Sequence, residues 1–207
     1  MKMKYLQTMT SRTGRHMQRY NEGCRQVVGC IPFRFKNLSE PSLIHGNLLE
    51  DIEVILISSQ KGPHKLMFPK GGWEFDEQLE EAAARETFEE AGILGMIMGD
   101  ELGVWNFKSN SQGIFHEGRL LPMNVQDVRD AWPEKAVRQR FWVCFCSYEY
   151  QCAHSWMKEA IDVFIGRLVS IEMKEKESTC LKEFLLSNDS NGIATIKGEE
   201  EVDFCLC

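Results

Sequence analysis

The sequence FPKGGWEFDEQLEEAAARETFEEAGI, residues 68–93, departs furthest from the composition of an ordinary folded segment, because it is crowded with acids. They are Glu74, Asp76, Glu77, Glu80, Glu81, Glu86, Glu89 and Glu90. A proline and two glycines near its start predict a loop whose backbone comes close to another group. Leu79 to Ala91 contains no Gly or Pro, and Gly92 suits the left-handed position after a last turn. The stretch therefore predicts a glycine loop followed by a helix.

The predicted helix divides into two faces at about 100° per residue. One face carries Leu79, Ala83, Ala84, Thr87, Phe88 and Ala91. Glu86, Glu89 and Glu90 share the other face with Ala82, whose small side chain leaves space beside the carboxylates. These carboxylates repel one another, and they lie where the helix dipole is already negative. A cation would compensate, and clustered carboxylates suit Mg²⁺ or Mn²⁺. A solvated acidic face is the alternative.

The composition predicts one soluble globular domain with loose ends. At 207 residues the chain is long enough for one sizeable core, 43% of it is hydrophobic, and no apolar run approaches the ~18 residues of a membrane helix. We therefore expect no membrane partner. The net charge is −7, but residues 1–36 carry eight Lys or Arg and a single acid, Glu22. Nucleic-acid binding is unexpected at a pI of 5.3, whereas a local basic arm suits a polyphosphate.

Cysteine usage and the N-terminus bear on cellular location. The eight cysteines have no CxxC spacing and no secretory signal precedes them, so we expect reduced thiols. Cys205 and Cys207 are too few to form a structural zinc site by themselves. Residues 1–10 are basic and free of acids. They suit the start of a mitochondrial targeting segment, although a disordered terminus is the simpler interpretation. We expect a mitochondrial location, with the cytoplasm as the alternative.

Hydrophobic patterns predict the remaining elements. Strands are expected at residues 26–35, 53–58, 103–107, 114–125 and 141–146, with a turn at 58–65 and a late helix at 155–170. Pro32 predicts an edge or a bulge in the first strand. Strands with one early and one late helix predict an α/β fold, a mixed sheet with helices on both faces. We expect a basic arm at residues 1–20, a domain at 21–171 and a polar, disordered tail at 172–207.

The acidic segment resembles the signature of the Nudix hydrolases at every defining polar and glycine position. The matching residues are Gly71, Glu77, Arg85, Glu86, Glu89, Glu90, Gly92 and Ile93. Thr87 stands where the family usually has an aliphatic residue. The further motifs SRTGR (11–15), VVGCIPFR (27–34), ISSQKG (57–62) and FPKGGW (68–73) are similar to plant, mitochondrial-type Nudix hydrolases related to diphosphoinositol polyphosphate phosphohydrolases. The resemblance implies an α/β/α sandwich.

The resemblance also implies a mechanism and roles for individual residues. Mg²⁺ or Mn²⁺ would be held by Glu86 and Glu90, with Glu89 as a further metal residue and a backbone carbonyl at Lys70 or Gly71 helping. Glu89 would be the general base, and Arg85 would orient the glutamates. Glu77 would have a structural or outer-shell role. The positions that loosely match phosphate contacts in inositol-processing relatives are Arg12, Arg25, Ser59, Lys61, Lys65, Lys70 and Arg140.

The substrate expected from the resemblance is a small polyphosphate, either a dinucleoside polyphosphate or a diphosphoinositol polyphosphate, cleaved at a phosphoanhydride bond. One alternative is a pyrophosphatase acting on ADP-ribose or NADH. Another is a non-catalytic module that binds nucleotides or RNA, since a fold alone does not establish an activity. The sequence does not determine the oligomeric state.

Overall fold

A computed structural model describes residues 11–36, 51–60, 62–108, 113–144 and 154–189. Over these ranges the strands are β1 (Tyr20–Asn21), β2 (Cys24–Phe35), β3 (Ile52–Ser59), β4 (Gly62–Met67), β5 (Lys70–Gly72), β6 (Ile93–Ile97), β7 (Gly103–Lys108), β8 (Phe115–Val128) and β9 (Arg140–Cys144). The helices are α1 (Leu79–Ala91) and α2 (Ser155–Asp189). The chain divides into two compact units, Met1–Arg167 and Leu168–Cys207. All of these strands, α1 and the start of α2 belong to the first unit.

The described strands form one mixed sheet in which β2 occupies the centre. Its main path runs β4-β3-β2-β8-β6. β2 and β8 are parallel, from the pair Arg25 and His116 to the pair Phe33 and Asn124. The opposite side of β2 is shared, since β5 pairs antiparallel with its first half and β3 with its end. β7 extends the sheet from β8, and β9 extends it from β3.

The two helices pack on opposite faces of this sheet. On one face, Ala82 and Ala83 of α1 pack in a cluster with Val28 and Cys30 of β2. Phe33 lies an odd number of residues after Val28 and Cys30 in the same strand. Its side chain therefore points to the other face of the sheet. There its ring lies 5.0 Å from that of Phe164 in the first unit's part of α2. The predicted α/β/α sandwich is therefore confirmed.

Most predicted strands are confirmed, but Pro32 does not mark an edge. β2 has neighbours on both sides, and Pro32 pairs in register with Met123 of β8. The Cys30 N–H donates to the Pro69 carbonyl at 3.2 Å, so the Pro32 nitrogen points to that same side. On that side of β2, the pairing with β5 ends at Gly29 and the pairing with β3 begins at Phe33. The missing N–H of Pro32 therefore falls in the gap between two partners.

Two regions predicted as turn or loop are strands. β4, Gly62–Met67, begins within the predicted turn and ends after it, and the glycine loop contains β5, Lys70–Gly72. The glycines of β5 have little intrinsic preference for a strand, but their backbone completes the ladder of β2. Tertiary pairing therefore overrides the local glycine signal in this segment.

α2 continues past residue 172, where the sequence predicts a disordered tail. Residues 172–189 are helical, which suits a run without Gly or Pro that is rich in Glu, Lys and Leu. The division into arm, domain and tail stays a prediction. Residues 1–10, 145–153 and 190–207, which include Cys205 and Cys207, lie outside the described residues. In the part of the chain that the structure describes, neither helix is long and apolar enough to cross a membrane.

Gly92→Ala should lower the free energy of unfolding, measured in urea, by about 1–3 kcal/mol. Gly92 has a φ of +63°, and an added Cβ would lie 2.8 Å from the Cβ of Trp132. Gly166→Ala is the matched control, because a Cβ there meets nothing within 4 Å and alanine favours a helix. Equal stability of Gly92→Ala and the wild type would contradict a required left-handed residue at this helix end.

Candidate active site

α1 has well-defined ends that fix where its glutamates lie. The backbone N–H of Gln78 donates to Oε2 of Glu81 at 2.9 Å before the first turn. Gly92 ends the helix in the predicted left-handed conformation, and its N–H donates to the Phe88 carbonyl at 2.8 Å. Ala82 is buried in the core cluster, so it does not leave space beside the carboxylates as the helical wheel predicted. Its small side chain instead brings α1 close to the sheet.

Arg85 connects the loop before α1 to the glutamates of its second half. Its Nε and Nη2 donate to the two carboxylate oxygens of Glu77 at 2.8 and 2.7 Å. Nη2 also donates to the Gly72 carbonyl at 2.9 Å, and Nη1 donates to Oε1 of Glu86 at 2.8 Å. Oε1 of Glu89 lies 3.5 Å from Nη1. Charge-assisted, bidentate contacts of this kind fix both position and orientation.

Glu77 and Gly71 explain two further motif positions. Glu77 is buried and accepts a hydrogen bond from the backbone N–H of Glu74 at 3.0 Å. Glu77 therefore binds both the loop and Arg85. A Cβ at Gly71 would collide with the carboxylate of Glu86. Glycine is therefore needed because the backbone of β5 lies directly against a carboxylate, as the sequence predicts.

Glu90 is held by groups from two other segments. Its Oε2 accepts the backbone N–H of Lys70 at 2.8 Å, and its Oε1 pairs with Arg138. Arg138 also donates through Nε to Glu134 at 2.6 Å. The backbone N–H of Glu134 donates to the Glu89 carbonyl at 3.1 Å, which fixes the loop before β9 against the end of α1.

Arg138 and Glu134 were not among the residues predicted for the site. The sequence signal for such a contact is the basic sequence RQR at 138–140. A buried carboxylate needs a cation as partner, and these arginines are candidates. That signal does not identify which arginine reaches which glutamate, because Arg138 and Glu90 are 48 residues apart in the sequence.

The carboxylates at the end of α1 are buried, and their pKa values are raised. Glu89 and Glu90 are only 5% and 6% exposed, which argues against a solvated acidic face. Burial raises the pKa of Glu89 to about 7, with the negative charge of Glu86 adding to the effect and Arg85 opposing it. Burial raises the pKa of Glu90 to about 8, against the influence of Arg138 and Lys70. Burial also raises the pKa of Glu86.

The residues predicted to contact phosphates are only partly brought to this cluster. Lys70 lies against it, since its backbone N–H donates to Glu90; burial lowers the pKa of its side chain, and the negative charges of Glu90 and Glu86 oppose that shift. Arg25 is largely buried, and its guanidinium bonds to Gln18. Ser59 ends β3 at a bulge opposite β4. Lys61 lies outside the described residues, as does the side chain of Lys65.

Arg140 has a structural environment. Its Nη1 donates to the carbonyls of Ala91 and Arg129, both at 2.8 Å, and its guanidinium lies 4.0 Å from the ring centroid of Trp132. A cation at the C-terminal end of a helix satisfies carbonyls that lack partners within the helix. Arg140 therefore binds the C-terminal end of α1, and its predicted contact with substrate phosphates stays a prediction.

The donor set fits a divalent cation. Within the described ranges, no group of three or more His, Cys, Asp or Glu side chains is already arranged as a metal centre. However, three carboxylates with raised pKa values crowd one helix end, and Gly71 keeps a Cβ away from Glu86. Hard oxygen donors of this kind suit Mg²⁺ or Mn²⁺. Glu86 and Glu90 would hold the ion.

The metal-free protein should lose stability as the pH rises from 6.5 to 8 in a chelator. A carboxyl whose folded pKa is raised to about 7 or 8 binds more protons when folded, so its deprotonation favours unfolding in this window. His116, whose pKa burial lowers to about 4, opposes this trend only below about pH 6.5. Glu90→Gln should flatten the slope of unfolding free energy against pH. A stability that rises with pH would contradict buried, proton-binding carboxylates.

Comparison with known proteins agrees with this site. The NUDIX domain family matches residues 46–145. "Nudix hydrolase 17, mitochondrial" of Arabidopsis thaliana is 51% identical over 82% of this chain and 89% of its own. Diphosphoinositol polyphosphate phosphohydrolase 3-beta of Bos taurus is 33% identical over 58% of this chain and 65% of its own. An Ap4A hydrolase structure from C. elegans, 20% identical, has a TM-score of 0.50 over 69% of this chain and 97% of its own, which shows the shared fold. With 51% of the aligned residues identical to those of a relative over most of both chains, the chain belongs to the Nudix hydrolase family.

Proposed function

We propose that the chain is a Mg²⁺- or Mn²⁺-dependent pyrophosphohydrolase that acts on dinucleoside polyphosphates or diphosphoinositol polyphosphates. The observation that carries the proposal is the convergence of Glu86, Glu89 and Glu90 on one helix end, where Arg85 contacts Glu86 and Glu89 and the glycine backbone of β5 lies against Glu86. The bovine relative named as a diphosphoinositol polyphosphate phosphohydrolase supports this substrate class.

The proposed chemistry is attack of water on a phosphoanhydride. When bound, a divalent cation would neutralise phosphate charge and lower the pKa of a water molecule. Glu89 acts as general base, with its carboxylate held between Nη1 of Arg85 and the backbone N–H of Arg12. Glu86 and Glu90 would hold the metal, while Arg85 keeps the carboxylates of Glu86 and Glu89 oriented.

Cations beside the carboxylates favour a multiply anionic substrate. Burial lowers the pKa of Lys70, and the positive charges of Arg138 and Arg25 lower it further. Arg25 is itself desolvated, which lowers its pKa too. Several desolvated cations at one place are stabilised by an incoming polyanion. We propose Lys70 and Arg25, with Ser59, Lys61 and Lys65, as contacts to the substrate phosphates.

A mitochondrial location is part of the proposal. It is supported by the word "mitochondrial" in the name of the Arabidopsis relative and by the basic, acid-free residues 1–10. Import of a fluorescent fusion into mitochondria tests it, and retention of the fusion in the cytoplasm would contradict it.

A substrate panel tests the activity and separates the alternatives. The purified protein should hydrolyse diadenosine polyphosphates or diphosphoinositol polyphosphates only with Mg²⁺ or Mn²⁺, and ¹⁸O-water should label one defined phosphate. A clear preference for ADP-ribose or NADH would favour the nucleotide pyrophosphatase instead. Absence of hydrolysis with every compound, together with tight nucleotide or RNA binding, would favour the non-catalytic module.

Glu89→Gln should lower kcat by about 10²- to 10⁴-fold, because an amide accepts no proton from water. Metal-ion affinity should change much less, since Glu86 and Glu90 are intact. The matched control is Glu80→Gln, which neutralises an exposed glutamate in the first turn of the same helix and should leave kcat unchanged. A Glu89→Gln enzyme with the wild-type rate would assign the base to another residue.

A further inference from the structure

Residues 11–20, named here the strap, run along the loop that precedes α1. The backbone N–H of Arg19 donates to the Trp73 carbonyl, and that of Phe75 donates to the Met17 carbonyl, both at 2.8 Å. The Arg19 side chain also donates to the carbonyls of Glu74 and Glu77 at 2.9 and 3.0 Å. The strap is thus hydrogen-bonded to the segment that contains the Nudix signature.

At its beginning the strap reaches the other end of α1. The backbone N–H of Arg12 donates to Oε2 of Glu89 at 3.3 Å. The other oxygen of Glu89 lies 3.5 Å from Nη1 of Arg85. The carboxylate of Glu89 is therefore held between an arginine of its own helix and a backbone donor from the strap.

The side chain of Arg12 is directed to acids of the loop. Its Nη1 contacts Glu74 and donates to Asp76 at 2.9 Å, and it lies 3.9 Å from Glu77. The hydrogen bond to Glu74 is the main reason why the pKa of Arg12 lies above its ordinary value. The contacts of Nη1 with these acids anchor the strap to the loop.

We propose that Arg12 is a positioning residue for Glu89, anchored by its guanidinium to Glu74 and Asp76 and oriented so that its backbone N–H holds the Glu89 carboxylate. This inference rests on the proposed function, in which Glu89 is the general base. It replaces the expected role of Arg12 as a phosphate contact, because the loop acids already occupy its side chain. The N-terminal strap is then a part of the catalytic machinery.

The first experiment compares Arg12→Ala with Arg12→Lys. Loss of the anchor should lower kcat by about tenfold, since small displacements of a catalytic group cost at least that much. KM should stay within about twofold, and Mn²⁺ affinity should stay close to that of the wild type. Arg12→Lys keeps a positive charge near the acids and should recover part of the lost kcat. Arg34→Ala is the matched control, because Arg34 is similarly exposed, at 44% against 40%, and pairs with Glu53.

The second experiment isolates the backbone donor. Arg12→Pro removes the N–H as well as the guanidinium, so its kcat should be lower than that of Arg12→Ala. If Arg12→Pro does not fold, the comparison of alanine and lysine variants decides the proposal alone.

Three results would overturn the proposal. A raised KM with unchanged kcat in Arg12→Ala would return Arg12 to substrate binding. A large loss of Mn²⁺ affinity would mean that Arg12 acts on the metal site. Equal kcat in Arg12→Ala, Arg12→Pro and the active wild type would exclude positioning. If the wild type itself hydrolyses nothing in the substrate panel, the proposed function fails instead.

Discussion

The contacts of the partly buried Arg85 guanidinium are the interaction on which the rest of the site depends. The guanidinium joins the carboxylate of Glu77, the carbonyl of Gly72 and the carboxylate of Glu86 in one set of short contacts. Burial of a charge is costly unless partners satisfy it, and removal of one partner leaves the other unpaired. The loop before α1 and the acids in its second half are therefore fixed together, and the positions of Glu86 and Glu89 follow from the loop as much as from the helix.

Segments from distant parts of the chain complete this arrangement by supplying donors to Glu89 and Glu90. Arg12 gives a backbone N–H to Glu89, Lys70 gives one to Glu90, and Arg138 pairs with Glu90. The sheet makes this possible because the central strand β2 carries β5 on one side and β8 on the other. Buried Ala82 brings α1 close to that strand. Acids that would repel one another in isolation are thus held by donors of the surrounding fold.

Sequence patterns could predict the features with local causes. The ends of α1 follow from a helix free of Gly and Pro and from Gly92, and the sandwich follows from buried strand patterns and the Nudix resemblance. β5 could not be predicted, because its pairing depends on β2 rather than on its glycines. The partner of Glu90 was missed for a similar reason. Arg140 and Arg138 are near-identical in sequence context, yet one closes α1 and the other reaches Glu90. Only the tertiary fold separates them.

We propose that a divalent cation joins the glutamates of α1, with Arg85 and Arg138 as their counter-ions within the protein. Anomalous scattering from a crystal soaked in Mn²⁺ tests this claim most directly. The account predicts one strong anomalous peak in contact with Glu86 and Glu90 and no such peak in a Glu86→Gln, Glu90→Gln crystal. A wild-type crystal without a peak at these carboxylates, under conditions in which the protein hydrolyses its substrate, would contradict it.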